Sequence, residues 1–195
     1  LINRPLEQNK SAELIHQAPL EDPLETERLG EKVARESRKG PMEKGVEKEL
    51  QLLKRVQGRI ITLKDDAYPR RLREIYDPPP LLYIRGELEE EDELAISIVG
   101  SRKTSTYGRW ITEKMSQELA GHGVTIVSGM ARGIDALAHS GAISGGGRTI
   151  AVLGCGVDVI YPSENRSLFT KIIDHGAVLS EFAMGSPPEG GHFPK

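Results

Sequence analysis

The sequence predicts an α/β fold: an extended, Rossmann-like parallel sheet with helices on both faces, preceded by a small helical region. Two patterns carry that expectation. From residue 94 onward, short apolar runs alternate with stretches of helical length, the signature of successive βαβ units. The runs show little polar alternation, which fits strands covered on both faces.

The elements follow in order. Residues 1–57 are rich in Glu, Lys, Arg, Leu and Gln, and two helical stretches, 25–37 and 43–56, are separated by Gly40 and Pro41. In the second stretch Val46, Leu50, Leu53 and Val56 share one helix face. Residues 59–63 form a strand. Asp65 or Asp66 and Pro69 then open a helical turn running to Ile75, which Pro78-Pro79-Pro80 ends. A strand at 81–84 closes at Gly86, and 87–93 is an acidic, exposed connector. The repeating part has strands at 95–99, 124–127, 149–153 and 177–179, with helices of about 108–121, 133–143 and 164–175 between them. The expected division is a small helical domain over 1–57 and a Rossmann-like domain over 58–195.

Composition narrows the function classes. At 37% hydrophobic the chain can bury a core, and no apolar run approaches the ~20 residues of a spanning helix. There is no basic start followed by an apolar segment, so no signal peptide is expected. Leu1 at the start and the abrupt 192–195 end predict an excerpt of a longer protein. A single cysteine, Cys155, excludes an internal disulfide and a multi-cysteine zinc site, and fits a reducing cytoplasm. Between Gly154 and Gly156 it is expected to be a small buried residue. The net charge of −3 attracts no polyanion in bulk, so a nucleic-acid site has to be a local cluster.

In open α/β sheets, ligands bind beyond the carboxyl ends of the strands. Those ends here are Gly100-Ser101-Arg102, Ser128-Gly129, Gly154-Cys155-Gly156 and Ser180-Glu181. Glycine lets a backbone approach a ligand closely, and a following helix N-terminus can receive a phosphate. Arg102 and Arg132 would put two guanidinium groups on one rim, suited to bidentate phosphate contact. The plainer alternative is an ordinary pair of turns whose arginines are solvated or paired to Asp135 or Glu181.

Other chemistries find weak support. The dinucleotide fingerprint GxGxxG is missing after the 95–99 strand, and the Walker pattern is missing too, so no nucleotide cofactor is expected. The run Gly145-Gly146-Gly147 precedes a strand and is a helix-ending turn. Asp135 and His139, four apart on one helix, could form half of a general-base site, though a helix-start carboxylate and a packing histidine explain them as well. No His or Glu spacing suggests a metal. Tyr107, Tyr161 and Phe193 lie in loops near strand ends, where exposed rings could stack on bases. Tyr161-Pro162 more simply staples its loop to the sheet.

Five ordered motifs resemble one family. They are Ile98-Val99-Gly100-Ser101-Arg102 with Tyr107-Gly108; Ser128-Gly129-Met130-Ala131-Arg132-Gly133-Ile134-Asp135 with Ala138-His139; and the run from Gly146 to Gly156 continuing to Asp158. Tyr161-Pro162-Ser163-Glu164-Asn165 and Ser180-Glu181 with Phe193-Pro194 complete the set. The family is the DNA-processing protein A (DprA/Smf) family, and the resemblance covers about residues 58–195.

The resemblance implies a Rossmann-like domain, often preceded by a sterile-alpha-motif-like helical domain. It implies single-stranded DNA binding without much sequence preference, homodimers, and transfer of DNA to a RecA-type recombinase during natural transformation. It attaches no enzymatic activity, metal or cofactor. The family's two arginines map onto Arg102 and Arg132, and its backbone-contacting residues onto Gly100, Ser101, Ser128, Gly129 and Gly133. Two departures stand out. Relatives often continue after Phe-Pro with basic residues and an asparagine, of which only Lys195 is present, kept here as a DNA contact. Some carry a basic residue after Tyr-Pro, where this chain has Ser163. The competing expectations are a nucleotide-processing Rossmann-like hydrolase, whose Pro-Gly-Gly-x-Gly-Thr loop is missing, and a scaffold that binds recombinase alone.

Overall fold

A computed structural model describes residues 43–192. Its elements are α1 (Glu43–Arg55), β1 (Gly58–Thr62), α2 (Arg70–Arg73), β2 (Leu81–Gly86), β3 (Ala95–Ser97), α3 (Thr106–Gly121), β4 (Thr125–Ser128), α4 (Ile134–Ser144), β5 (Thr149–Val152), α5 (Arg166–Asp174) and β6 (Gly176–Ser180). Short 3-10 turns stand at Glu90–Glu93, Ser163–Asn165 and Gly190–His192. The expected sterile-alpha-motif-like domain falls largely on residues 1–42, outside the described residues, as do Phe193 and Lys195.

The six strands form one sheet in the order β1-β2-β6-β5-β4-β3. β3, β4, β5 and β6 are mutually parallel, each beside its predecessor. β2 joins β6 antiparallel and β1 joins β2 antiparallel. The mostly parallel sheet agrees with the sequence expectation, while the antiparallel pair is a feature that apolar periodicity does not distinguish.

Three one-step, right-handed crossovers in the same direction put α3, α4 and α5 on one face. There Ala138 and Ala142 of α4 meet Ile126 of β4. Phe169 and Ile172 of α5 meet Ala151 of β5 and Val178 of β6. α1 joins this core through Leu53, and its Glu49 carboxylate accepts the Met184 N–H at 2.7 Å. Val46 and Leu50, on the stripe that the sequence marks, stay exposed.

Among the described residues the opposite face is covered by α2 and its flanks, whose Tyr68 and Leu72 pack on Ile150, Ala177 and Leu179. A groove of about 630 Å³ remains beside them, floored by Val127, Val152 and Leu179.

Two polar clusters organise the amino ends of the parallel strands. His139, fully buried on α4, meets the Thr149 hydroxyl at 2.7 Å, and burial pushes its imidazole down to about 3. The other cluster lies in the acidic connector, which is not simply a solvated run. Asp92 accepts from Thr125 Oγ1 at 2.8 Å and from Arg148 at 2.8 and 2.9 Å. Arg148 also pairs with Glu89 at 2.8 Å and donates to the Glu87 carbonyl at 2.7 Å. Burial alone would raise the Asp92 carboxyl, but the bonds from Arg148, the Glu89 backbone and Thr125 hold it below the usual range.

Among the described residues no helix is long and apolar enough to cross a membrane. No group of His, Cys, Asp or Glu among them could hold a metal ion. Cys155 is buried as expected, and burial raises its thiol to about 11.

Candidate nucleic-acid interface

The carboxyl ends of the four parallel strands form a crest of two unequal halves. Over β5 and β6 the chain folds back on itself. The Ser180 hydroxyl donates to the Cys155 carbonyl at 2.6 Å, and Gly156 N–H donates to the Ser186 carbonyl at 3.0 Å. His192 stacks on Phe182 with ring centroids 4.1 Å apart, and its Nδ1 lies 3.1 Å from the Gly154 carbonyl. Residues 182–192 thus close over that half. Among the described residues the ends of β3 and β4 carry no such cover, and Gly100, Ser101, Arg102 and Arg132 are exposed there.

The two arginines expected on one rim are brought together. Arg102, Gly129, Ala131, Arg132, Tyr161 and Pro162 line one shallow pocket of about 30 Å³. The loops that carry them are locked to each other. Asp135, at the start of α4, accepts from Gly100 N–H and Ala131 N–H, both at 3.4 Å. The Ile134 N–H donates to the Ser101 carbonyl at 3.2 Å. Gly133 sits at φ +80°, and a Cβ there would lie 2.3 Å from the Ser101 carbonyl oxygen. Any side chain at 133 would therefore push the Arg102 loop away from the Arg132 loop.

Several candidates take internal roles. The Ser128 hydroxyl is buried and donates to the Ile98 carbonyl at 2.7 Å, so it joins β4 to the chain beyond β3 instead of facing the rim. A Cβ at Gly100 would meet Ile134 at 2.8 Å, and one at Gly129 would meet the Asp135 carboxylate at 2.9 Å. Close packing between the loops explains both glycines without a ligand. The Ser101 hydroxyl donates to the Lys103 carbonyl at 2.8 Å and shapes its own loop. The helix starts are also engaged: Gly108 N–H donates to the Ser105 side chain at 3.0 Å, and Ile134 N–H is bound as described. Asp135 and His139 bond to different partners, so the pair that could have formed a general base is not assembled.

Arg132 is paired with neither Asp135 nor Glu181. Its Nε meets Glu164 Oε1, and its Nη2 meets Glu164 Oε2 at 2.9 Å, a two-pronged pair at the surface. The hydrogen bonds raise the guanidinium and lower the carboxyl relative to their ordinary values. Both side chains are more than half exposed, so solvent screens the pair and a competing anion can reach the arginine. Arg102 has no carboxylate partner among the described residues.

Asn165 is a further positioning residue. Its amide donates at 3.0 Å to the carbonyl of Met130, which is buried with φ +65°. That bond holds the backbone just before Arg132 in a conformation that a non-glycine residue rarely adopts. Within the Tyr161–Asn165 motif, the roles of Glu164 and Asn165 were invisible, because each partner lies more than 30 residues away in sequence.

The model of the DNA recombination-mediator protein A family matches residues 59–195. Protein Smf of Synechocystis sp. is 49% identical over 138 residues, covering 69% of this chain and 35% of the relative. DNA processing protein DprA of Streptococcus pneumoniae is 44% identical over 133 residues, covering 68% and 47%. The chain thus spans about a third to a half of the length of these curated relatives. The X-ray structure of the S. pneumoniae protein matches with a TM-score of 0.74 at 39% identity, over 84% of this chain and 56% of that one. DNA processing protein A from Helicobacter pylori, whose structure concerns its single-stranded DNA binding mode, matches with a TM-score of 0.61 at 33% identity, over 69% and 61%. With the motifs in order, the sheet superposable on these structures and the family model spanning the whole α/β region, this chain belongs to the DNA recombination-mediator protein A (DprA/Smf) family.

Proposed function

We propose that this chain is a single-stranded DNA-binding portion of a DNA-processing protein, and that it holds the strand by its phosphates without cutting it. The observation that carries this is the shared pocket of Arg102 and Arg132 on the open half of the crest. One guanidinium has no carboxylate partner among the described residues, and the other has an exposed one that a phosphate can replace. The single-stranded DNA binding of the H. pylori relative supports the same ligand here. The family's description as a recombination mediator supports transfer of the strand to a RecA-type recombinase; a role in DNA uptake and a homodimeric assembly are what the family resemblance implies. Gly100, Ser101, Gly129 and Gly133 shape the loops that present the arginines; Lys195, a DNA contact on the sequence reading, lies outside the described residues.

The test is a titration of labelled single- and double-stranded oligonucleotides at two salt concentrations. Preference for the single strand is expected, with log affinity falling against log salt at roughly −0.7 per neutralised phosphate. Equal binding to both forms, or affinity indifferent to salt, would overturn the proposal. A parallel incubation with nucleoside monophosphates should release no base.

A further inference from the structure

The first turns of α3 carry two large rings that the core does not use. Tyr107 is 68% exposed and Trp110 is 53% exposed. Their ring centroids are 6.1 Å apart with planes tilted by 39°. The Lys114 ammonium stands 5.2 Å from the centre of the Trp110 ring. Positions 107, 110 and 114 fall on one side of a helix with 3.6 residues per turn. The buried residues of α3 are Thr112, Ser116 and Ala120, which occupy the opposite side. The rings therefore lie on the side of α3 opposite its buried residues.

Charge says what could cover them. From Leu94 to Thr112 the chain has no Asp or Glu, and it carries Arg102, Lys103 and Arg109. The Arg102 loop leads straight into the Ser105 cap of α3. A Cβ at Gly100 would meet Ile134 at 2.8 Å and one at Gly108 would meet it at 3.9 Å, so the start of α3 lies beside the arginine-bearing crest. A cationic loop followed by outward rings with a lysine beside them combines phosphate contact with base stacking. Among the described residues Lys114 pairs with one carboxylate, Glu118 at 3.8 Å and exposed, a weak competitor for a phosphate.

We infer that Tyr107 and Trp110 form a base-stacking platform that carries single-stranded DNA from the Arg102 loop along the outer side of α3, with Lys114 on the phosphate beside the stacked base. This rests on the proposed DNA binding and adds the path of the strand. It also assigns an aromatic role to residues that the motif glycines and arginines do not include.

Trp110 is the only tryptophan in the chain, so its fluorescence reports this platform alone. An oligo-dT strand is expected to quench it saturably. An abasic strand of the same length should bind through its phosphates and leave the fluorescence nearly unchanged. By anisotropy of labelled oligo-dT, Trp110→Ala and Tyr107→Ala should each weaken binding about five-fold or more, while Trp110→Phe retains most of the affinity. Affinity for the abasic strand should not change in any of these variants.

Oligo-dT that binds with salt-dependent affinity but neither quenches Trp110 nor responds to the two alanine variants would overturn the platform and leave the arginine site standing. Loss of dimers in Trp110→Ala, seen by sedimentation with oligo-dT affinity per chain unchanged, would overturn it in favour of a subunit contact. Absence of any single-strand binding would overturn both readings.

Discussion

The two ends of the parallel sheet treat their arginines in opposite ways. At the amino end of the strands, Arg148 is wrapped by Asp92, Glu89 and the Glu87 carbonyl, and its side chain is only 21% exposed. At the carboxyl end, Arg102 lacks a carboxylate partner among the described residues and Arg132 meets one exposed glutamate. The sequence around each end explains the contrast. Residues 87–93 contain six carboxylates, whereas 94–112 contain none. The same side chain is thus a structural tie at one end and, on the proposed function, an anion-binding group at the other. Near-neutral net charge hides this polarity completely.

Perturbing the tie should give the largest effect. Arg148→Ala leaves the Asp92 carboxylate, whose side chain is only 8% exposed, without its main partner and is expected to cost about 2–3 kcal/mol of stability, read as a lowered thermal midpoint. Its affinity for single-stranded DNA should stay as in the parent. A loss of affinity without a loss of stability would erase the distinction between the two ends.

Arg102→Ala should show the mirror behaviour. Unchanged melting and about 10- to 100-fold weaker single-strand binding are expected, with the salt slope smaller by roughly 0.7. Filter-binding or anisotropy titrations at several salt concentrations measure both quantities. Unaltered affinity would remove Arg102 from the interface.

A third measurement separates the core from both ends. His139 is held neutral in the fold, with its pKa lowered to about 3 from 6.5. The unfolded chain takes up this proton as pH falls through 6.5, whereas the folded chain does so only near 3. Stability is therefore insensitive to this group above 6.5 and declines as pH drops below it, at up to ~1.4 kcal/mol per pH unit. Denaturant titrations between pH 7 and 5 should show that slope, and His139→Gln should flatten it.

The smallest effect belongs to Glu164. Glu164→Gln weakens the hold on Arg132 and is expected to tighten DNA binding by about two- to five-fold. Weaker binding in this variant would mean that Glu164 orients Arg132 for the strand instead of competing with it.

The fold and the site were legible to different depths. The four parallel strands and their helices follow from apolar runs and helical spacing, which are local signals. The antiparallel β1–β2 pair and the gathering of α3, α4 and α5 on one face are not local: they depend on which edge a strand joins and on the direction of each crossover. In the site, Arg102 and Arg132 stood out by their places after strand ends. Ser128 looked equivalent to Ser101 in sequence, yet one hydroxyl is buried against Ile98 and the other lies on the surface. Tyr107 was expected in a loop and stands in the first turn of α3, where its partnership with Trp110 arises from helical spacing.

By itself, the sequence determined the α/β class, the strand-end loops and the family, because these rest on periodicity and on ordered short motifs. Tertiary structure alone decided which polar groups are free. It set Glu164 against Arg132, Asn165 under Met130 and Asp92 around Arg148 across separations of more than 30 residues. The physical reason is that a charge's availability depends on the partners that folding brings within hydrogen-bonding distance, and no window along the chain contains them.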